Sequence, residues 1–423
     1  MKLIYIANAR IPTEKAHGIQ IMQMLKAFAN FQFSISNFQS NPNNRASKKN
    51  EVELVIPWRF NKIKENPFGY YNIERTFKIT KLPCLDFVYF NLGKVGFFIQ
   101  TITFLISAKI YLFFKRYDIL YTREQLVGLF FKDFILEIHS LPSNIKTFHK
   151  KIWQKAKALI VLTSFIKKKL VEVGIKGNKI LVAPDGVDLE KFAIDVSKQE
   201  AQERLNLPKD KKIILYSGSF YLYDWKGIAI LLEAVKYFEK DWVLILVGGN
   251  KNEIEEIRKK YNLDKVLLIE RRPHSEIPYY LKAADVLVIP NKKGDQFSEE
   301  YTSPLKLFEY MASGVPIVAS DLPSIRDILY ENKRMTTDSK PQITTERASW
   351  ITTDKNQPKS VTKSNAVLVE PNNAEVLAGG IKKVLQNNDL ADRISKQALQ
   401  DVQNYTWQKR VENILKFIKN ANN

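Results

Sequence analysis

The second half of the chain alternates short β-branched runs with longer amphipathic stretches, and this alternation limits the folds open to it more than any other feature. Ile213 to Tyr216, Val243 to Val247, Val266 to Ile269, Val286 to Ile289, Pro316 to Ala319 and Ala366 to Val369 are apolar throughout. Continuous apolar runs of that length are what strands covered on both faces require. Between them, Ile228 to Phe238, Glu253 to Tyr261, Ile277 to Ala284 and Pro304 to Ala312 carry helical periodicity. The pattern predicts an α/β fold with a doubly wound parallel sheet.

The first half repeats this grammar less cleanly, with strand-like Leu3 to Ala7, Val52 to Ile56, Ile119 to Thr122, Ile135 to His139, Leu159 to Leu162 and Ile180 to Val182. It reads as a second domain of the same class. A chain of 423 residues is long enough for two such domains. Turn residues followed by a polar helical stretch over Pro184 to Asp210 place the boundary near Phe192, giving domains 1–192 and 193–405. Two α/β domains in series leave a cleft between the carboxyl edges of their sheets, the usual place for a ligand. Residues 31–50, rich in Asn, Ser and Gln, and 331–364, rich in Thr, Ser and Lys, fit neither pattern and read as mobile surface insertions.

Charge separates the halves. Of 65 basic and 45 acidic residues, 30 and 14 fall at or before Phe192, so +16 of the net +20 lies in the first half. That half is expected to face an anionic partner. Nucleic acid would bring a zinc-finger, RNP or basic-zipper signature, and none accompanies the charge. An anionic membrane surface is the other candidate. Val95 to Phe114 holds a single charge, Lys109, and is about as long as a bilayer is thick. Gln100, Thr101, Thr103 and Ser107 interrupt it, so a buried helix, a helix lying in a membrane interface and a true span all stay open. Leu3 to Ala7 is too short for a signal-peptide core, and the lone Cys84 cannot form an intrachain disulfide. A cytoplasmic protein without a metal site is expected, since neither CxxC nor HExxH spacing occurs among its Cys and four His.

Chemistry concentrates in Thr302 to Gly314, TSPLKLFEYMASG, where Pro304 opens a helix behind small polar residues and Glu309 follows inside it. Free amides at such a terminus attract phosphate, and a carboxylate beside them can accept both hydroxyls of a ribose. A solvent-facing glutamate fits the same segment equally well. Ser217 to Gly227, SGSFYLYDWKG, adds a glycine turn after a buried strand and then Lys226 before a helix. Alone, such a lysine is more often a solvated side chain.

Taken with RIPTEKAHGIQIMQM at Arg10 to Met24, YTRE at Tyr121 to Glu124, EIHSLP at Glu137 to Pro142, APDGVDLEKF at Ala183 to Phe192 and HSEIPYYLKAADVLVIP at His274 to Pro290, these segments resemble family 4 of the retaining, nucleotide-sugar-dependent glycosyltransferases. The resemblance covers nearly the whole chain apart from the two insertions. It implies two Rossmann-like domains in the GT-B arrangement, with a C-terminal helix over 406–423 returning to the first domain. It also implies a hexosyltransferase taking a sugar from a nucleoside-diphosphate donor to a lipid-linked or polysaccharide acceptor in cell-envelope glycan synthesis, peripherally at the cytoplasmic membrane face.

Carried over residue by residue, the resemblance puts Gly18 in a loop that approaches the donor diphosphate, Lys226 on that diphosphate, Glu309 on the ribose and His139 near the transferred sugar and acceptor. His139, Lys226 and Glu309 are the expected catalytic residues. Pro273 and His274 are expected to read the base through backbone contacts. Ser219, Tyr301, Thr302, Ser303, Pro304, Leu305 and Lys306 complete the expected donor-binding set. The family's E-x7-E motif has Tyr301 in place of its first glutamate, with Glu299 and Glu300 just upstream, and its usual arginine after the SGS glycine is replaced by Ser219. No D-x-D motif occurs, in keeping with a family that uses protein cations and helix dipoles in place of a divalent metal, so no cofactor is expected. Two rivals stand beside this reading. A nucleotide-sugar epimerase shares the GT-B architecture and consumes its substrate in water without an acceptor. A non-catalytic basic membrane or nucleic-acid binding protein would not need Gly18, Lys226 and Glu309 together.

Overall fold

The structure is a computed structural model that describes residues 1–31, 50–88, 93–222, 225–330, 360–362 and 365–420. The two polar insertions expected at 31–50 and 331–364 lie almost wholly outside the described residues. The chain divides into two units, Met1–Asp188 with Thr406–Asn423, and Leu189–Tyr405. The division falls one helical turn before the expected boundary at Phe192. Phe192 ends the short helix Leu189–Phe192 and packs edge-on against the His274 ring at 5.4 Å, which ties it to the second unit.

In the first unit, β1 (Lys2–Ile6), β2 (Glu51–Pro57), β3 (Lys78–Leu82), β4 (Ile119–Thr122), β5 (Phe134–Ile138), β6 (Ala158–Val161) and β7 (Ile180–Val182) form one sheet in the order β3-β2-β1-β4-β5-β6-β7. Every pairing in it is parallel. Its central strands are buried along their length, as the apolar runs require. The edge strand β3, KITKL, is mostly outside the core, and Lys78, Thr80 and Lys81 leave it without the apolar run that marks a buried strand.

In the second unit, β8 (Lys212–Ser217), β9 (Trp242–Gly249), β10 (Val266–Glu270), β11 (Val286–Ile289), β12 (Ile317–Ser320), β13 (Ser360–Thr362) and β14 (Val367–Val369) are ordered β10-β9-β8-β11-β12-β14-β13. All pairs are parallel except β13 with β14, an antiparallel edge. In both sheets the strand order reverses beside the first strand of the unit, between β1 and β4 and between β8 and β11. In open α/β sheets the carboxyl ends of the strands flanking such a reversal are where ligands bind.

The helix Gly93–Phe113 connects β3 to β4 in the first unit. One face is buried through Gln100, Thr101, Phe104, Leu105, Ala108 and Leu112. Its polar residues are tied down: Gln100 donates to Asn8 Oδ1 at 3.0 Å and Asn8 donates to Thr101 Oγ1 at 2.8 Å. The other face leaves Val95, Phe97, Phe98, Ile106, Ile110 and Phe113 exposed. The segment is thus half core helix and half exposed apolar surface, and a span would have to withdraw those bonded polar groups from the unit.

The C-terminal helix Trp407–Asn420 belongs to the first unit. It follows a parallel bridge between Val187 and Thr406 and buries Trp407, Arg410, Val411, Ile414, Leu415 and Ile418.

Candidate active site

The second unit's site grows from the end of β8. The strand runs into the turn Gly218–Ser219, and the chain returns at Lys226 to start the helix Ile228–Ala234. Gly227 caps that helix at φ +72°, and a Cβ there would stand 1.8 Å from the Pro290 carbonyl oxygen, so only glycine fits. This close approach to the end of β11 sets Lys226 above the strand-order reversal. Its ammonium donates to Ser219 Oγ and lies 4.8 Å from the centre of the Tyr221 ring.

Lys306, in the first turn of the helix Leu305–Ser313, brings a second cation. Its ammonium sits 3.8 Å from the centre of the Tyr216 ring, and the Tyr216 hydroxyl donates to the Ser219 carbonyl at 3.3 Å. The Lys306 ammonium is buried without a hydrogen-bond partner among the described residues. Burial, and then the neighbouring Lys226 charge, push it well below the usual lysine range. Two ammonium groups at one strand end, one of them short of acceptors, form a place that an anion would complete.

The same helix places Glu309. Tyr310 anchors it by accepting from the Ser217 amide at 2.8 Å at the end of β8. Glu309 Oε1 pairs with His274 Nε2 at 2.8 Å, and its other oxygen is unengaged among the described residues. His274 therefore contributes its side chain to the site, where the sequence suggested its backbone. Pro304 stands before the helix as its cap, leaving Leu305 as the first helical residue, and no side chain caps the terminus. Lys306 stands in this first turn, and the free amides of a helix start favour an anion. Thr302, Ser303 and Tyr301 are buried beneath this start, Tyr301 closing the π-turn Phe297–Tyr301. Glu299 accepts from the Gly294 amide at 2.7 Å and Glu300 from Gln296 Nε2 at 3.0 Å, both inside that turn.

The first unit holds a different arrangement at its own strand ends. Gly18 is corrected in its position: it lies in the first turn of the helix Ala16–Asn30, not in the loop before it. A Cβ there would stand 2.1 Å from the Tyr71 hydroxyl and 2.6 Å from Thr13 Cγ2, so packing inside the unit already demands glycine. His139 follows β5, and its Nε2 lies 2.6 Å from Oε1 of Glu137. That oxygen also accepts from Gln20 Nε2 at 2.6 Å and from Arg410 Nη2 at 3.1 Å, while Tyr121 donates to Oε2. Arg123 Nη1 donates to Gln20 Oε1 at 2.5 Å. Burial opposes ionisation of Glu137, but the Arg410 charge and the His139 contact outweigh it and hold the carboxyl well below the usual carboxylate range. Burial, reinforced by Arg123, lowers His139 to about 4. Burial raises Asp185 to about 6 in the same cluster.

The motif reading missed Glu137, Gln20, Arg123 and Arg410 as a group. One signal was present, an acid inside the apolar run FILEI of β5, since a charge on a strand covered on both faces needs a partner. Among the described residues no group of three or more His, Cys, Asp or Glu is placed to hold a metal ion.

Residues 197–346 match the family model described as glycosyl transferases group 1. Over 191 residues the chain is 28% identical to a D-inositol 3-phosphate glycosyltransferase of Xylanimonas cellulosilytica, spanning 41% of this chain and 43% of the relative. It is 30% identical over 162 residues to the UDP-Gal:alpha-D-GlcNAc-diphosphoundecaprenol alpha-1,3-galactosyltransferase of Escherichia coli, spanning 36% of this chain and 39% of the relative. The aligned chain thus spans less than half the length of these two curated relatives. In fold it is similar to the sucrose-phosphate synthase of Thermosynechococcus elongatus, with a TM-score of 0.70 at 19% identity over 99% of both chains. The second unit carries a glycosyl transferases group 1 domain, and the two units are the two Rossmann-like domains of the GT-B fold.

Proposed function

We propose that the chain is a retaining glycosyltransferase that moves a sugar from a nucleoside-diphosphate donor to a lipid-linked or polysaccharide acceptor in cell-envelope glycan synthesis. The observation that carries this reading is the pair of cations at the end of β8, Lys226 on Ser219 and Lys306 over Tyr216, the latter without a hydrogen-bond partner among the described residues, beside the uncapped start of the helix Leu305–Ser313. A diphosphate supplies the acceptor that Lys306 lacks among the described residues. In this reading Glu309 takes ribose hydroxyls with the oxygen that engages no described residue, while His274 holds the other. The Escherichia coli relative is named for a UDP-sugar donor and a diphosphoundecaprenol acceptor, which supports the same classes here.

In the proposed reaction the bond from the sugar C1 to the diphosphate oxygen breaks and its electron pair stays with the diphosphate. The acceptor hydroxyl oxygen bonds to C1 on the face that the leaving group vacates, and its proton passes to a leaving phosphate oxygen. The two lysines and the helix terminus stabilise the developing charge, so the reaction requires no divalent metal. His139 is proposed to act on the sugar and acceptor.

Transfer is proposed to occur at the cytoplasmic membrane face, with nucleic acid no partner. The basic first unit and the exposed apolar face of the helix Gly93–Phe113 support a peripheral attachment. Incubating the protein with UDP-, GDP- and ADP-sugars, with and without a polyprenyl-diphosphate glycan and with and without a chelator, tests the whole reading. Chelator-insensitive transfer that needs the acceptor is expected. Sugar isomerisation in water without acceptor would assign an epimerase instead.

A further inference from the structure

We infer that Arg410 and Glu137 are positioning residues that fix His139 in the tautomer protonated at Nε2, leaving Nδ1 as the atom that accepts a hydroxyl from sugar or acceptor. The role toward substrate rests on the sugar-transfer reading. The tautomer itself rests only on the geometry of the first unit.

The hydrogen-bonding capacity of Glu137 Oε1 decides the tautomer of His139. An ionised carboxylate only accepts, and this oxygen faces Gln20 Nε2 at 2.6 Å, Arg410 Nη2 at 3.1 Å and His139 Nε2 at 2.6 Å. For the last contact to be a hydrogen bond, His139 must carry its proton on Nε2. Nδ1 makes no hydrogen bond to a described residue, and about a fifth of the side chain, 21%, remains exposed, so the ring is open to an incoming group on one side.

What keeps Glu137 ionised comes from the far end of the sequence. Arg410 stands on the C-terminal helix and is almost wholly buried, its side chain 3% exposed beside a Glu137 side chain at 0%. Its Nε donates to the Pro184 carbonyl at 2.8 Å and the Ala183 carbonyl at 3.2 Å, and Nη1 points at Met24 Sδ at 2.8 Å. The guanidinium fork is therefore set by main-chain carbonyls from one element and delivers one nitrogen to the carboxylate from another. The other charged or titratable groups facing this cluster are Arg123, Asp185, Tyr5 and Tyr121. Arg123 favours the neutral ring, in which the choice of tautomer is decisive. A second group that orients a histidine through its other nitrogen is a familiar way of selecting the working atom.

The test is nitrogen-15 NMR of the histidine side chains in the full-length protein at neutral pH, with His139 assigned by its loss in His139→Ala. Wild type is expected to show the Nε2–H form. Glu137→Gln offers an amide that can donate to the ring, and Arg410→Gln removes the group that keeps the carboxylate charged. Both are expected to shift His139 toward the Nδ1–H form. Glu137→Asp keeps the ion pair but withdraws the oxygen by a methylene, and serves if the other variants do not fold. It too is expected to lose the preference. Nucleotide-induced thermal stabilisation of the second unit is expected to stay as in wild type, and kcat to fall about tenfold or more with the donor KM within twofold, since an orienting group acts on turnover. An Nδ1–H or evenly mixed wild type overturns the inference, and so does a tautomer unmoved in every folded variant. Because the tautomer is read without substrate, a wild type that transfers no sugar counts against the sugar-transfer reading and leaves the tautomer to be decided by its own spectrum.

Discussion

The two units share a sheet plan and differ in nearly everything placed on it. Each reverses strand order beside its first strand and presents strand ends there. In the second unit those ends carry two cations, Lys226 on Ser219 and Lys306, which has no hydrogen-bond partner among the described residues. In the first unit the buried carboxylate of Glu137, on β5, is satisfied internally, taking donors from Gln20, Tyr121, His139 and Arg410. The surfaces diverge as well. Of the large hydrophobic side chains exposed among the described residues, thirteen from Trp58 to Val171 lie in the first unit and four, Tyr221, Tyr237, Leu267 and Phe297, in the second. Topology determines where a site is built, and the residues at the strand ends determine whether it awaits a ligand or holds a side chain still.

The strongest way to break this comparison is Lys226→Ala. If the second unit stabilises a leaving diphosphate, turnover is expected to fall by about 10² or more, with a smaller loss of donor affinity, because charge develops only as the bond breaks. Turnover within twofold of wild type would mean that Lys306 alone holds the leaving group. Glu309→Ala comes next. Losing a charged acceptor costs about 1.5 to 3 kcal/mol of nucleotide affinity, measured by calorimetry with UDP or GDP. His139→Ala, in the other unit, is expected to impair transfer and spare that affinity, and equal losses of affinity in both variants would dissolve the contrast between the units.

Much of this contrast was readable in advance, for a physical reason. Strands buried on both faces are apolar without interruption, so β8, β9, β11 and the central strands of the first sheet announce themselves. Edge strands do not: β3 has only Ile79 and Leu82 apolar among Lys78, Thr80 and Lys81. The loop that sets Lys226 was visible through its glycines. The Glu137–Arg410 pair was not, because its members are separated by 273 positions and only the tertiary fold brings the last helix onto β5. Gly18 shows a different ambiguity, since a glycine that packs against Tyr71 has the same appearance in sequence as one that approaches a ligand.

Acid sharpens the comparison further. His139 and His17 are both lowered to about 4 by burial, from 6.5 in the unfolded chain. Between these values the unfolded state binds more protons, so stability present above pH 6.5 is lost as pH falls toward 4. Each shift corresponds to about 2 kcal/mol lost between pH 7 and pH 5. Asp185, raised to about 6, has the opposite sign, and on acidification it returns about 1 kcal/mol over the same window. The first unit should therefore lose about 2 to 3 kcal/mol net. Calorimetry at both pH values, with nucleotide added to mark the second unit's transition, is expected to show the first unit's transition falling further. Two transitions moving together would mean that these groups are not held as the geometry indicates.

The smallest expected effect concerns the surface that distinguishes the first unit. Phe98 is 56% exposed on the outer face of the helix Gly93–Phe113, whereas Leu105 on the same helix is 0% exposed. A sequence reading treats the two as equivalent apolar positions. Only the first can report on a membrane, because a charge at Leu105 would enter the core and unfold the unit. Full burial of a phenylalanine is worth about 1.5 to 3 kcal/mol, so removing the exposed half by Phe98→Ala should cost about 1 kcal/mol, roughly fivefold in vesicle partitioning. The basic residues add about 1 kcal/mol each near an anionic surface, screened beyond about 8 Å at physiological salt. Wild type is therefore expected to co-sediment with anionic but not neutral liposomes and to be released largely by salt, with Phe98→Ala released at lower salt. Partitioning that ignores both lipid charge and Phe98 would make the apolar face a feature of some other contact and remove membrane attachment from what separates the two units.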